Sequence, residues 1–158
     1  MTVRLEPGQR ALLAQVRRAT LATIGPDGRP RLVPCCFALL DSDDGPVLVT
    51  PIDEKVKQGS DPLSLARVQD IERDARVTLL VDRWDEDWDH LAWLRLHGTA
   101  RLVWPGEAPN DRDVAIMALR QRYPQYRTHA LESLPLIWIR VASVRAWSSA
   151  PTEDDLVR

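Results

Sequence analysis

Residues 18–34 read RATLATIGPDGRPRLVP, and this stretch decides how the chain folds. Apolar and small polar residues alternate over 20–24, and the turn-forming residues Gly25-Pro26-Asp27-Gly28 follow at once. Alternation with a period of two is typical of a strand, and glycine and proline at this density indicate a tight turn. The stretch therefore predicts a β-hairpin with strands over 20–24 and 29–40.

The rest of the chain has the patterns of further strands and of three helices. Strands are expected at 47–50, 76–82, 92–104 and 136–147. Helices are expected at 7–19, 61–74 and 111–123, the second and third capped by Asp61 and Asp111.

Strands that follow one another with few helices between them predict an antiparallel arrangement. A Rossmann sheet would need regular alternation of strands and helices and a glycine-rich phosphate turn, and the sequence has neither. The expected fold is a mainly-β antiparallel barrel of about six strands with helical additions.

The strand over 92–104 has the clearest pattern of two faces. One face carries Leu94, Leu96, Gly98, Ala100 and Leu102. The other carries Arg95, His97, Thr99 and Arg101. The small residues at 98 and 100 predict a tight bend or a close approach of another backbone.

Composition limits the function classes. The 158 residues are 44% hydrophobic and 28% charged, with a formal charge of −2, so a basic footprint for nucleic acid is not expected. An apolar run long enough for a membrane span is absent, and the N-terminus lacks the apolar core of a signal peptide. We expect a cytoplasmic protein with one domain over 1–150 and an acidic tail over 151–158.

The two cysteines, Cys35 and Cys36, are adjacent and match neither a zinc spacing nor Cys-x-x-Cys. Neighbouring strand residues point to opposite faces, so a disulfide between them would require strain. They are interpreted as two small strand residues, at least one of them buried.

Lys55 and Lys57 follow the third strand and precede the helix that Asp61 begins. Two ammonium groups beside a helix N-terminus suit a phosphate or a carboxylate. A solvated basic loop is the alternative.

Residues 82–93 contain three tryptophans and five acids. Asp85, Asp87 and Asp89 alternate as in a calcium loop, but the sixth position is His90 instead of glycine and the twelfth is Leu96 instead of glutamate, so no metal site is expected. Two interpretations remain open. The tryptophans, Trp88 among them, cover a flat aromatic cofactor, or they plug the end of the barrel.

The hairpin over 18–34 and the segment over 82–101 together resemble the deazaflavin-dependent branch of the flavin-binding split barrels related to pyridoxamine-phosphate oxidase. The resemblance covers roughly residues 18–103. It implies a homodimer with the cofactor at the subunit interface. It also implies an oxidoreductase that uses coenzyme F-420 for hydride transfer to or from a small organic substrate.

The same resemblance assigns the cofactor site. Lys55 and Lys57 are expected to hold the phosphate or the glutamyl tail, with Arg67 as a weaker candidate. Thr50 and Pro51 close the third strand, and a hydroxyl with a strand-end backbone at the mouth of a barrel suits a hydrogen bond to the ring; a plain strand terminus is the alternative. The second hairpin strand is expected to add the residues Arg31, Pro34 and Cys35. Residues 58–62 depart from the basic run that the family often has there.

Two alternatives come from other branches and classes. One is an oxidase or reductase of the same fold that uses FMN. The other is a protein that carries flavin or haem without turnover, for which His97 or His90 would be the expected axial ligand. No Gly-x-Ser-x-Gly elbow supports a hydrolase. In an oxidoreductase, His97 is a weak candidate for the catalytic proton donor.

Overall fold

The computed structural model describes residues 2–52 and 61–150. Seven strands form one antiparallel sheet in the order β2-β1-β5-β6-β7-β4-β3. The strands are β1 (Ala19–Ile24), β2 (Pro30–Cys35), β3 (Ala38–Ser42), β4 (Gly45–Pro51), β5 (Arg76–Arg83), β6 (Ala92–Val103) and β7 (Leu136–Ser148). The helices are α1 (Pro7–Gln15), α2 (Ala66–Arg73) and α3 (Pro109–Arg122). The predicted mainly-β antiparallel fold with peripheral helices is confirmed.

The hairpin of β1 and β2 forms as the sequence predicted. Ala19 pairs with Cys35 at one end and Ile24 with Pro30 at the other. The Gly28 N–H donates to the Gly25 carbonyl at 3.0 Å, and Gly28 has a φ of 79°. That backbone conformation favours glycine, so the turn depends on this residue.

Most of the core lies on one side of the curved sheet. Its fully buried side chains come from five strands and include Leu21, Leu48, Leu79, Leu94, Leu96 and Ile137. Helix α1 adds Leu12 and Leu13 to this core, and α2 adds Val68 and Ile71. The faces predicted for the strand over 92–104 are confirmed, since Leu94, Leu96 and Ala100 are buried while Arg95 and His97 are exposed.

A second core lies on the opposite side of the sheet. Helix α3 packs Ala115, Ile116 and Leu119 there against β3 and β4. No helix of the described part of the chain covers the outer face of β2, β1, β5, β6 and the second half of β7. Leu32 and Leu80 are exposed on that face. We call it the uncovered face.

The close approach predicted at residue 98 is confirmed. A Cβ built on Gly98 would lie 2.4 Å from the Arg140 carbonyl oxygen and 2.9 Å from Cγ2 of Ile139. The register between β6 and β7 shifts between His97 and Gly98. Glycine therefore lets β7 run against β6 across a bulge.

The single long strand predicted over 29–40 is wrong, because the chain breaks between Cys35 and Ala38. The Phe37 N–H donates to the Tyr123 hydroxyl at 3.0 Å, and that hydroxyl lies 3.0 Å from the Arg17 carbonyl. The Tyr123 side chain, 86 residues away, thus accepts the hydrogen bond that a neighbouring strand would otherwise accept from Phe37. Cys36 consequently lies between strands instead of within one.

The predicted helix boundaries also need correction. The helix over 7–19 ends at Gln15, since Val16 is already extended. Asp61 does accept a hydrogen bond from Leu63 N, but it caps only a short 3-10 turn, and α2 begins separately at Ala66. Asp111 is not a cap, because α3 begins at Pro109 after Ala108 in a left-handed conformation.

No helix among the described residues is long and apolar enough to span a membrane. The acidic tail expected over 151–158 lies outside the described residues.

Candidate functional site

The ends of β2 and β4 and the first turn of α2 meet around Cys35. Thr50 is buried near the end of β4, and Pro51 pairs there with Leu136 of β7. Lys55 and Lys57 lie outside the described residues, so their predicted role stays a prediction. The flanking residue Ile52 is fully buried and fixes one end of the segment that contains them.

Cys35 lies at this junction as a free, half-buried thiol. Burial raises the pKa of Cys35 to about 11, while a hydrogen bond with the Thr50 side chain and the positive charge of Arg67 act in the opposite direction. The thiol is therefore protonated at neutral pH and is not an activated nucleophile. These effects place Thr50 and Arg67 close to Cys35.

Arg67 is a half-buried cation on the first turn of α2. Among the described residues no carboxylate lies within 4.0 Å of its guanidinium. The acid nearest in sequence, Asp70, is engaged elsewhere. Within the described part of the chain, Arg67 is therefore a cation without an anionic partner, and a guanidinium of this kind can bind an anion.

Arg31 has a different environment from the one predicted. Its Nη1 lies 3.4 Å from Oδ2 of Asp70, whose side chain is 1% exposed. Asp70 also accepts hydrogen bonds from Thr23 Oγ1 at 2.8 Å and Arg73 Nη2 at 2.9 Å. Burial acts to raise the pKa of Asp70, but these hydrogen bonds and the two arginines outweigh it, and the pKa is lowered. Arg31 thus belongs to a network that fixes α2 against the hairpin.

Pro34 is not brought together with Arg31 and Cys35. It is exposed and pairs with Thr20 of β1. Because successive strand residues point to opposite faces, Pro34 lies on the uncovered face while its neighbour Cys35 packs against the core. The three residues do not share one surface.

Most of the acidic segment over 82–93 is an exposed loop between β5 and β6, and its third tryptophan, Trp93, lies within β6. Trp84 and Trp88 are each 68% exposed, so neither plugs the barrel. The Asp87 N–H donates to Asp85 Oδ1 at 2.8 Å, which folds the loop on itself. No cluster of potential metal ligands occurs in the described ranges 2–52 and 61–150.

His97 lies on the uncovered face of β6, directly opposite Thr78 of β5. Its Nδ1 is 2.9 Å from Thr78 Oγ1. A candidate proton donor is thus held by a neighbouring strand, on the opposite side of the sheet from the core.

The structure adds residues that the sequence interpretation missed. A groove of about 540 Å³ lies between α1 and the adjacent ends of β6 and β7, and Arg83, Trp93 and Trp147 are among its lining residues. Arg83 donates from Nε to the His90 carbonyl at 2.7 Å and from Nη1 to Gln15 Oε1 at 2.9 Å. The tryptophans were visible in the sequence, but the pairing of Trp93 with Trp147 depends on the register of two strands.

A seven-stranded antiparallel sheet with these peripheral helices defines a split-barrel protein. The family model described as pyridoxamine 5'-phosphate oxidase matches residues 5–148. The chain therefore belongs to the pyridoxamine 5'-phosphate oxidase-like family of split barrels.

Solved structures give the same fold at low sequence identity. The conserved hypothetical protein Rv2991 from Mycobacterium tuberculosis has a TM-score of 0.70 and 22% identity, with 94% of this chain and 87% of that chain covered. An FAD-binding protein from Mesorhizobium loti has a TM-score of 0.65 and 19% identity, covering 92% and 97%. An F-420 reductase has a TM-score of 0.62 and 21% identity, covering 89% and 98%. Comparison with curated proteins finds no match.

Proposed function

We propose that this protein is an oxidoreductase that uses coenzyme F-420 to transfer hydride to or from a small organic substrate. The observation that carries the proposal is the half-buried guanidinium of Arg67 at the junction of β2, β4 and α2, which has no carboxylate within 4.0 Å among residues 2–52 and 61–150. A cation in that position suits the phosphate of a flavin-type cofactor.

The residues at the junction fit such a group by their chemistry. Arg67 supplies a charged donor, and residues 55 and 57, which come earlier in the sequence and lie outside the described residues, are lysines. Thr50 and Pro51 form a rigid wall, because both are buried and paired with β7. When bound, the deazaflavin supplies the hydride chemistry. The protein's part is to hold the anionic groups, orient the ring and exclude water.

The assembly belongs to the proposal as well. A homodimer that buries the uncovered face would cover the exposed Leu32 and Leu80. Pro34 and His97 lie on that same face. In such a dimer the partner would complete a cofactor site at the subunit interface, and His97 would be a candidate donor of the substrate proton.

The similarity to an F-420 reductase supports the choice of F-420, while the similarity to an FAD-binding protein favours a second candidate, an FMN-dependent enzyme or a flavin carrier of the same fold. Fluorescence titration of the purified protein with F-420 and, separately, with FMN distinguishes them. Saturable F-420 binding with weak FMN binding supports the proposal. Tighter binding of FMN would favour the second candidate. If the protein binds neither cofactor, both candidate functions are contradicted.

The same titration with variants of the two lysines tests whether they bind the cofactor. Replacing Lys55 and Lys57 together by alanine is expected to weaken F-420 binding by about 1–3 kcal/mol, because charge-assisted contacts to the phosphate or tail are lost. Arg127→Gln, which removes an exposed charge far along the chain in a 3-10 turn, is the matched control. If the double variant keeps the original affinity for F-420, the assignment of Lys55 and Lys57 to the cofactor site is wrong.

A further inference from the structure

The core side of the sheet is incompletely covered at the end of β7 beside α1. Ala146 pairs with Leu94 of β6, and the side chains of directly opposed residues lie on the same face of a sheet. Leu94 is fully buried in the core, yet Ala146 is exposed. Helix α1 packs on β5 and β6. The core side of the sheet is therefore open to solvent between α1 and the end of β7.

This opening belongs to the groove of about 540 Å³, a volume within the range of small-molecule sites. The apolar residues that line it from α1 and from the core side of the strands are Ala11, Leu12, Ala92, Leu94 and Ala146. Most of them are alanines, whose side chains are too short to fill the space between the helix and the strands. The groove therefore offers an apolar surface to a ligand.

Arg83 adds a positive charge of fixed position to this groove. Its Nε donates to the His90 carbonyl and its Nη1 to Gln15 Oε1, so the guanidinium is held beside the last residue of α1. An arginine has five N–H donors, and within the described part of the chain those on Nη2 have no acceptor. No carboxylate lies within 4.0 Å of Arg83 among residues 2–52 and 61–150. This end of the groove therefore suits an anionic group.

The other end of the groove carries the opposite charge. Glu6 lines the groove and is the N-cap residue of α1, a helix of nine residues and so about 13 Å long. A carboxylate in the groove is attracted by Arg83 and repelled by Glu6. The two charges therefore favour one orientation of an amphipathic anion, with its apolar part directed from Arg83 towards the N-terminal end of α1.

We propose that this groove binds a medium-chain aliphatic monocarboxylate. The carboxylate accepts hydrogen bonds from Arg83, and the alkyl chain lies between α1 and the ends of β6 and β7. The site is separate from the proposed cofactor site, because none of the residues that line it belongs to the junction of Thr50, Cys35 and Arg67. It also lies on the opposite side of the sheet from His97. Binding at this site does not depend on the proposed function.

Calorimetric titration of the whole chain at neutral pH with octanoate, 1-octanol and octylamine tests the proposal. We expect saturable binding of octanoate, about tenfold weaker binding of the alcohol and still weaker binding of the amine, because Arg83 favours a carboxylate and disfavours a cation. Hexanoate should bind more weakly than octanoate by about fourfold for each methylene removed, because the chain lies against apolar residues.

Two variants test the two halves of the site. Arg83→Gln should bind octanoate about tenfold more weakly, whereas Arg95→Gln, which changes an exposed arginine of β6 on the uncovered face, is the matched control and should bind as the original protein does. Ala146→Phe should abolish octanoate binding, because the ring occupies the groove. Its control is Ala142→Phe, at an exposed alanine of the same strand that does not line the groove.

Thermal unfolding is a second readout and shows whether the variants are folded. Octanoate should raise the melting temperature of the original protein and of Arg95→Gln, but not that of Ala146→Phe. Without ligand, Ala146→Phe should keep the original melting temperature, because Ala146 is exposed. The F-420 affinity of Arg83→Gln should equal that of the original protein.

Several outcomes would overturn the proposal. These are absence of octanoate binding, equal affinity for octanoate and octanol, and unchanged octanoate affinity in Ala146→Phe. Octanoate affinity that falls as the protein concentration rises would assign the groove to a second copy of the chain. Octanoate affinity that rises when Leu156 and Val157 are both replaced by serine would assign it to residues 151–158.

The proposed function and this proposal fail separately. Equal losses of F-420 and octanoate affinity in Arg83→Gln would assign Arg83 to the cofactor and overturn the carboxylate site. If octanoate binds as expected while F-420 does not bind at all, the carboxylate site stands and the proposed function fails.

Discussion

The two ends of α2 show what separates a charge that holds the fold from one that is free to bind. At the C-terminal end, Asp70 is 1% exposed and takes hydrogen bonds from Thr23 and Arg73, with Arg31 at 3.4 Å. One turn earlier, Arg67 has no acid within 4.0 Å in the described part of the chain. The acid three residues away is already satisfied by other partners. The charges around Asp70 stabilise the barrel, whereas Arg67 is the cation that we propose binds the cofactor.

Removing the charge of Asp70 should have the largest effect on stability. Asp70→Asn is expected to lower the free energy of unfolding by about 2–4 kcal/mol, because it removes charge-assisted hydrogen bonds at a buried position. Asp41→Asn is the control, since Asp41 pairs with Arg10 on the surface and should cost about 0.5 kcal/mol. Equal effects of the two substitutions in urea unfolding would contradict the account of α2.

The pH dependence of stability should follow the same residue. The pKa of Asp70 is lower in the folded protein than in the unfolded chain, because its hydrogen bonds to Arg73 and Thr23 outweigh burial. Its contribution to stability is therefore complete above the pKa of the unfolded chain, about 3.9, and is lost as the pH falls through the pKa of the folded protein. The stability difference between the original protein and Asp70→Asn should be constant from pH 7 to 5 and shrink below pH 4. A stability difference that grows as the pH falls would contradict the lowered pKa of Asp70.

The exposed loop should give the smallest effect on stability. Trp88→Ala is expected to change the free energy of unfolding by less than about 0.5 kcal/mol, because Trp88 is 68% exposed. Leu94→Ala, just beyond the same loop but fully buried, should cost about 2–5 kcal/mol. We expect Trp88→Ala to alter the affinity for cofactor or substrate all the same. A large drop in melting temperature would favour a structural plug after all.

The local patterns of the sequence predicted the strands that have one buried face. The alternation over β6 identified both of its faces, and the turn at Gly28 identified the hairpin. The break between β2 and β3 was not predictable in this way. It depends on the Tyr123 hydroxyl, which reaches Phe37 from a distant helix end.

The site was predictable only in part for the same reason. The end of a strand suggested Thr50, and the family resemblance suggested Cys35 and Arg67; the structure brings the three together. Arg31 was expected to line the cofactor site, but a sequence does not show that Asp70 lies beneath it. The pairing of Leu94 with Ala146 depends on the register of β6 and β7, which a bulge at Gly98 then shifts. Long-range register is not encoded in the local spacing of either strand.

The affinity of the Arg67→Gln variant for coenzyme F-420 is the most direct test of the difference between the two ends of α2. If the Arg67 guanidinium binds the anionic part of the cofactor, the variant should bind F-420 about tenfold more weakly, with an unchanged melting temperature. Arg127→Gln should bind as the original protein does. An Arg67→Gln variant that keeps full affinity for F-420 would contradict the claim that this cation marks the cofactor site.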